Sequence, residues 1–142
     1  MNLLRHFGIT VTNLDESIEF YRDLLGFEVV RIMDEEGEHI DNFSALEGVK
    51  VRTVKMKDKT GNMIELLKYH SHPCGANNDN ITRIGCSHFA LTVKNLDNLL
   101  KKIVQKGYNA HCEPQFSPDG KVKLTFCKGP DGVLLELVEE LH

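Results

Sequence analysis

His6-Phe7-Gly8-Ile9-Thr10-Val11-Thr12-Asn13-Leu14-Asp15 returns as His88-Phe89-Ala90-Leu91-Thr92-Val93-Lys94-Asn95-Leu96-Asp97, with seven of the ten positions identical. A second pair follows in each half, Gly61-Asn62-Met63-Ile64-Glu65-Leu66-Leu67 and Gly132-Val133-Leu134-Leu135-Glu136-Leu137-Val138. The chain is therefore a tandem repeat, and each half opens on a His and closes on a Glu. Four residues stand in repeat register as potential metal ligands: His6, Glu65, His88 and Glu136.

Working outward from the first copy, residues 3 to 11 alternate as a strand does, and the period changes at Asn13. Asn13 with Glu16 three residues on is a helix start of the capping-box kind. Leu14, Ile18, Tyr21 and Leu25 then follow at helical spacing, and Gly26 supplies the left-handed stop. Phe27 to Met33 reads as a strand, 34 to 48 as an irregular and mobile loop, and Val49 to Met56 and Asn62 to Tyr69 as a hairpin turning at Asp58-Lys59-Thr60-Gly61. The first half is β-α-β-β-β.

Residues 70 to 84 hold Pro73, Gly75 and the polar run Asn77-Asn78-Asp79-Asn80, a linker composition. The order then repeats. A strand over Ser87 to Val93 leads to a helix with Leu96, Leu99, Leu100, Ile103 and Val104 on one side, ending at Gly107. Tyr108 to Cys112 is a strand and 113 to 120 a loop. Alternation through Val122, Leu124 and Phe126 marks another strand, and Val133 to Glu139 closes the chain after the turn Gly129-Pro130-Asp131-Gly132.

At 142 residues the expectation is one α+β domain over 1–142, with module 1 at about 1–69, the linker at about 70–84 and module 2 at about 85–142. A net charge of -4 without a long run of like charge offers nothing to a nucleic-acid backbone. No apolar stretch approaches the roughly 18 residues of a membrane span, and the N-terminus lacks the apolar segment of a secretory signal, so a cytoplasmic protein is expected. Cys74, Cys86, Cys112 and Cys127 form no C-x-x-C pair and read as reduced packing thiols.

Strand alternation places His6, Gly8 and Thr10 on one face and Phe7, Ile9 and Val11 on the other, with the same split at His88, Ala90 and Thr92. The His face is thus also the face of small residues, leaving room for a ligand, while the apolar face lies under the helix. Glu65 and Glu136 sit in strongly apolar strands, where an uncompensated carboxylate costs about several kcal/mol. A cation facing two His and two Glu would offset that cost. Two imidazoles with two carboxylates and no thiolate suit Zn, Ni, Co, Mn or Fe rather than Ca or Mg. The plainer alternative is a His capping each strand and a Glu paired with a Lys or Arg. His39, His70 and His72 fall outside the repeat register and read as solvated.

The phrase from Leu14 to Phe27, together with Gly129-Pro130-Asp131-Gly132 and Glu136, resembles the vicinal-oxygen-chelate superfamily of glyoxalase I, methylmalonyl-CoA epimerase, fosfomycin-resistance enzymes, extradiol dioxygenases and bleomycin-resistance proteins. The resemblance covers nearly the whole chain. It implies two tandem βαβββ modules forming a curved, cup-like mixed sheet around a divalent metal, a homodimer, and a small-molecule substrate with adjacent oxygens. The His, Glu, His, Glu set is similar to that of glyoxalase I and close to that of the epimerase. The implied activity is a metal-dependent lyase or isomerase that abstracts a proton next to a carbonyl and forms a metal-bound enolate, with Glu136 as first candidate for the base and Glu65 as second. An extradiol-type dioxygenase and a bleomycin-resistance-like binding protein are the alternatives. Two positions depart from the glyoxalase pattern: Thr10 stands where an Arg for glutathione is expected, and Tyr69 where an Asn is expected.

Overall fold

Asn13 starts the first helix as its sequence predicts: its side-chain oxygen accepts a hydrogen bond from the Glu16 N–H at 3.1 Å, and α1 runs over Leu14–Glu19. The chain is described here by a computed structural model, which covers residues 1–77 and 80–142. It divides into two compact units, Met1–Gly75 and Ala76–His142. Asn78 and Asp79, at the centre of the expected linker, lie outside the described residues.

In the first unit α1 widens into a π-helical turn over Phe20–Leu24 before Gly26, at φ 80°, ends it. The expected stripe of Leu14, Ile18, Tyr21 and Leu25 is accordingly rotated. Ser17, Phe20 and Tyr21 are the buried residues, with Phe20 and Tyr21 ring edge to ring face at 5.1 Å. The sheet orders its strands β1 (Phe7–Thr10), β4 (Met63–Tyr69), β3 (Lys50–Lys57) and β2 (Glu28–Glu36). β1 and β4 are parallel and the other pairs antiparallel. Ile9, Val54, Met56, Ile64 and Leu66 fill one face and are buried, and α1 packs on β4.

The expected irregular loop at 34 to 48 is corrected. β2 continues to Glu36, and a helix α2 covers Glu38–Ser44. Gly37, at φ 108°, makes the corner between them. Ile40 holds the helix by burying against Val49 and Val51, with Leu67 and Tyr69 packed around them. The Asp41 carboxylate accepts hydrogen bonds from the N–H groups of Gly48 (3.0 Å) and Val49 (2.9 Å), which hold its carboxyl below the usual carboxylate range. Both anchors are contacts across the fold, so helical periodicity alone did not reveal them. Helix α2 thereby covers the Val51–Leu67–Tyr69 end of the face that bears His6, and leaves the Gly8–Glu65 part open.

The second unit repeats the plan. Its five-stranded sheet runs β5 (Phe89–Thr92), β9 (Leu134–Glu140), β8 (Val122–Lys128) and β6 (Asn109–Ala110), with β7 (Gln115–Phe116) also paired to β8. Again the first and last strands are parallel. Helix α3 (Leu96–Gln105) is capped by the Asn95 side chain, buries Leu96, Leu100 and Ile103, and ends before Gly107 at φ 94°. Val104, expected on the buried side, is 55% exposed at the stripe's edge. The strand expected over Tyr108 to Cys112 shrinks to two residues, and β7 appears inside the expected loop at 113 to 120. The described residues between β4 and β5 form no regular element, yet Asn77 and Arg83 are anchored by hydrogen bonds. Asn77 donates to the Asp131 carbonyl at 2.7 Å, and Arg83 donates to the Asn77 side-chain oxygen and to the Cys86 carbonyl.

Among the described residues no helix is long and apolar enough to cross a membrane. All four cysteines are free thiols, and only Cys127 is buried.

Candidate metal centre

Parallel pairing places Gly8 opposite Glu65, and in the other unit Ala90 opposite Glu136. A residue two positions earlier on the same face is His6 in one case and His88 in the other. Each imidazole therefore leans toward the carboxylate of the neighbouring strand. His6 Nε2 is 3.5 Å from Glu65 Oε1, and His88 Nε2 is 3.5 Å from Glu136 Oε1. The side chains keep between 16% and 34% of their exposure, so all four are reachable by a small molecule while the strands beneath them are packed.

The spacing is that of a loose ion pair and is also compatible with a shared ion. A charge-assisted hydrogen bond closes to about 2.7–2.9 Å. Two donors each about 2.1 Å from one ion, at a tetrahedral angle, stand about 3.4 Å apart. The observed 3.5 Å is longer than the first and close to the second. The other ring nitrogen of His88, Nδ1, lies 3.0 Å from Ser87 Oγ. Either group can donate in this bond, depending on the imidazole tautomer; a proton on Nδ1 would leave the Nε2 lone pair available to a metal. Each unit holds one such His–Glu pair, and among the described residues no group of three or more His, Cys, Asp or Glu is poised to hold a metal.

The surroundings of the two pairs differ. Next to Glu136 across the antiparallel β8–β9 ladder is Phe126, whose ring meets His88 edge-on at 5.0 Å and His111 at 6.0 Å. Next to Glu65 in the equivalent β3–β4 ladder is Lys55. The residues sequence reasoning missed are thus Lys55, Phe126 and His111. The first two were accessible in principle, since each hairpin turn sets the register that faces them to a Glu. His39 packs on Phe43 at 5.5 Å, and His72 bonds Ser71 at 2.7 Å.

A model of the Glyoxalase/Bleomycin resistance protein/Dioxygenase superfamily matches residues 3–137. The chain belongs to this superfamily. A probable lactoylglutathione lyase of Synechocystis sp. is 30% identical over 137 residues, covering 96% of this chain and 94% of the relative. A lactoylglutathione lyase of Arabidopsis thaliana is 28% identical over 134 residues, covering 94% of this chain but only 43% of its own length, so the chain spans less than half of that relative. Among solved structures, a glyoxalase family protein from Bacillus cereus superposes with a TM-score of 0.90 at 25% identity, over 100% of this chain and 97% of the other. The glyoxalase-superfamily fold accounts for the mixed α+β architecture, with a parallel first-to-last strand pairing in each half.

Proposed function

We propose that this superfamily member is a metal-dependent lyase or isomerase of the glyoxalase and epimerase type, acting on a small molecule with adjacent oxygens by proton abstraction next to a carbonyl. The observation that carries it is the His–Glu pair occurring twice, in the same strand register and at the same 3.5 Å. Two such pairs count against a pure binding protein of the bleomycin-resistance kind. The lactoylglutathione lyase relatives support the lyase class.

His6, Glu65, His88 and Glu136 would hold the metal, which when bound supplies Lewis-acid stabilisation of negative charge developing on substrate oxygen. The proton falls to Glu136. It lies on a strand paired on both sides, by β5 and β8, so its carboxylate is held on a rigid support. Its register neighbours are Ala90 and Phe126, neither of which competes for its oxygens. Glu65, with Lys55 across the ladder, is the second candidate. His88, oriented by Ser87, fixes the carboxylate it leans on. A homodimer is the assembly the resemblance implies.

The test has two parts. Protein purified without chelators should carry about one divalent transition metal per four-ligand set by elemental analysis. A chain that carries none and fails to take up Zn, Ni, Co or Mn at micromolar concentration overturns the reading. Metal-loaded protein incubated in D₂O with a panel of small α-hydroxycarbonyl compounds should place deuterium next to the carbonyl, read by NMR. Glu136→Gln should lower that exchange by roughly 10²–10⁴-fold while retaining most metal binding. Oxygen uptake with a catechol in Fe(II)-reconstituted protein would instead establish a dioxygenase.

A further inference from the structure

The face of the first sheet that carries His6 and Glu65 also carries two cations in lateral register. Lys55 stands across from Glu65 on one side and from Arg31 on the other. The second cation is brought there by an irregularity. Between Val29 and Arg31 the β2–β3 register shifts, so that Val29 faces Met56 and Arg31 faces Lys55, with Val30 left over. Bulges of this kind bend a strand and re-aim a side chain, and they recur beside active sites. Without the extra residue, Val30 would face Lys55.

Like charges directly opposite on adjacent strands are destabilising. Among the described residues neither Arg31 nor Lys55 makes an ion pair, whereas on the opposite face Arg52 closes a two-pronged pair with Asp34 at 2.8 and 2.9 Å. Glu65, the one carboxylate across from Lys55, leans on His6 instead. Lys57, one same-face position along β3 from Lys55, faces a carboxylate residue, Glu28. Lys55 thus has a carboxylate across from it on its β4 side only, and Arg31 faces only a like charge in its register. The repeat shows that the position needs no cation for folding, because the residue across from Glu136 is Phe126.

We propose that Lys55 and Arg31 form an anion-recognising subsite beside the His6–Glu65 pair, and that the substrate carries a carboxylate which settles between them. The planar guanidinium suits a two-point grip on a carboxylate, and the lysine supplies a mobile point charge. Helix α2 covers the far end of the same face, against Val51, Leu67 and Tyr69. The subsite deepens the proposed function, resting on it for the reacting centre, and it defines the substrate as an anionic hydroxycarbonyl compound.

The probes are lactate and its uncharged counterpart lactamide, titrated into the full chain at low ionic strength without added metal, with amide shifts of β2 and β3 read by NMR. Lactate should move the amides around Arg31 and Lys55, and lactamide at equal concentration should not. Lys55→Met, which keeps an aliphatic stem of similar bulk, should weaken lactate binding by about tenfold or more, and Lys55→Arg should restore most of it. Arg31→Met, at an exposed position, is a second and structurally mild variant with the same expected loss. Equal responses to lactate and lactamide, or an unchanged lactate affinity in both Met variants, would overturn the subsite. Metal content measured on the same samples separates the two ideas: failure to bind metal sinks the proposed activity, while the lactate titration, run without metal, reports on the subsite alone.

Discussion

Nε2 of His6 stands 3.5 Å from Oε1 of Glu65, across a parallel strand pair that joins the two ends of the first module. The same distance recurs between His88 and Glu136, so the two pairs should contribute alike to metal binding. His6→Ala and His88→Ala are each expected to lower metal affinity by at least roughly tenfold, the lower bound of what even an outer-sphere partner contributes. Competition with a chromophoric chelator would measure it. A large loss in one variant and none in the other would mean that only one pair binds.

Glutathione recognition is expected to be poor. Thr10 lies on β1 at the position where the glyoxalase pattern has a cation, and Tyr69 is packed against the cluster of Ile40, Val49 and Val51 instead of being free to grip a ligand. Turnover of the methylglyoxal–glutathione adduct should stay near background in an absorbance assay. Thr10→Arg should improve KM for that adduct by roughly tenfold if a charge-assisted contact is restored. Efficient turnover by the unaltered chain would show that other residues read glutathione.

Burial pushes the Cys127 thiol up from its ordinary 9.0 to about 12. The folded chain therefore favours the protonated thiol, whereas the unfolded chain ionises near 9. Stability from this group is complete below pH 9 and is lost as pH rises toward about 12. Alkaline unfolding followed by circular dichroism should begin later in Cys127→Ala, once its lower starting stability is allowed for. At pH 8, iodoacetamide should label the exposed Cys74, Cys86 and Cys112 and spare Cys127, as mass spectrometry would read.

Much of this protein was legible in one dimension because its decisive signals are local or repeated. Asn13 and Asn95 start their helices with their own side chains, and Gly26 and Gly107 end them at positive φ. The repeat singled out His6, Glu65, His88 and Glu136, and strand alternation put each His on the face of its small neighbours. Even Lys55 beside Glu65 was implicit, since the turn at Asp58 to Gly61 pairs Lys57 with Met63 and so fixes the ladder beyond it. Tertiary structure alone decided three things. The His–Glu spacing depends on parallel pairing between strands far apart in the chain. Helix α2 exists because Ile40 finds Val49 and Val51, and because Asp41 reaches the N–H groups of Gly48 and Val49. Arg31 faces Lys55 because Val30 bulges out of the ladder. A bulge is chosen by the fit of two strands to each other, and a seven-residue helix by the surface it lands on, so neither leaves a periodic trace in the residues that form it.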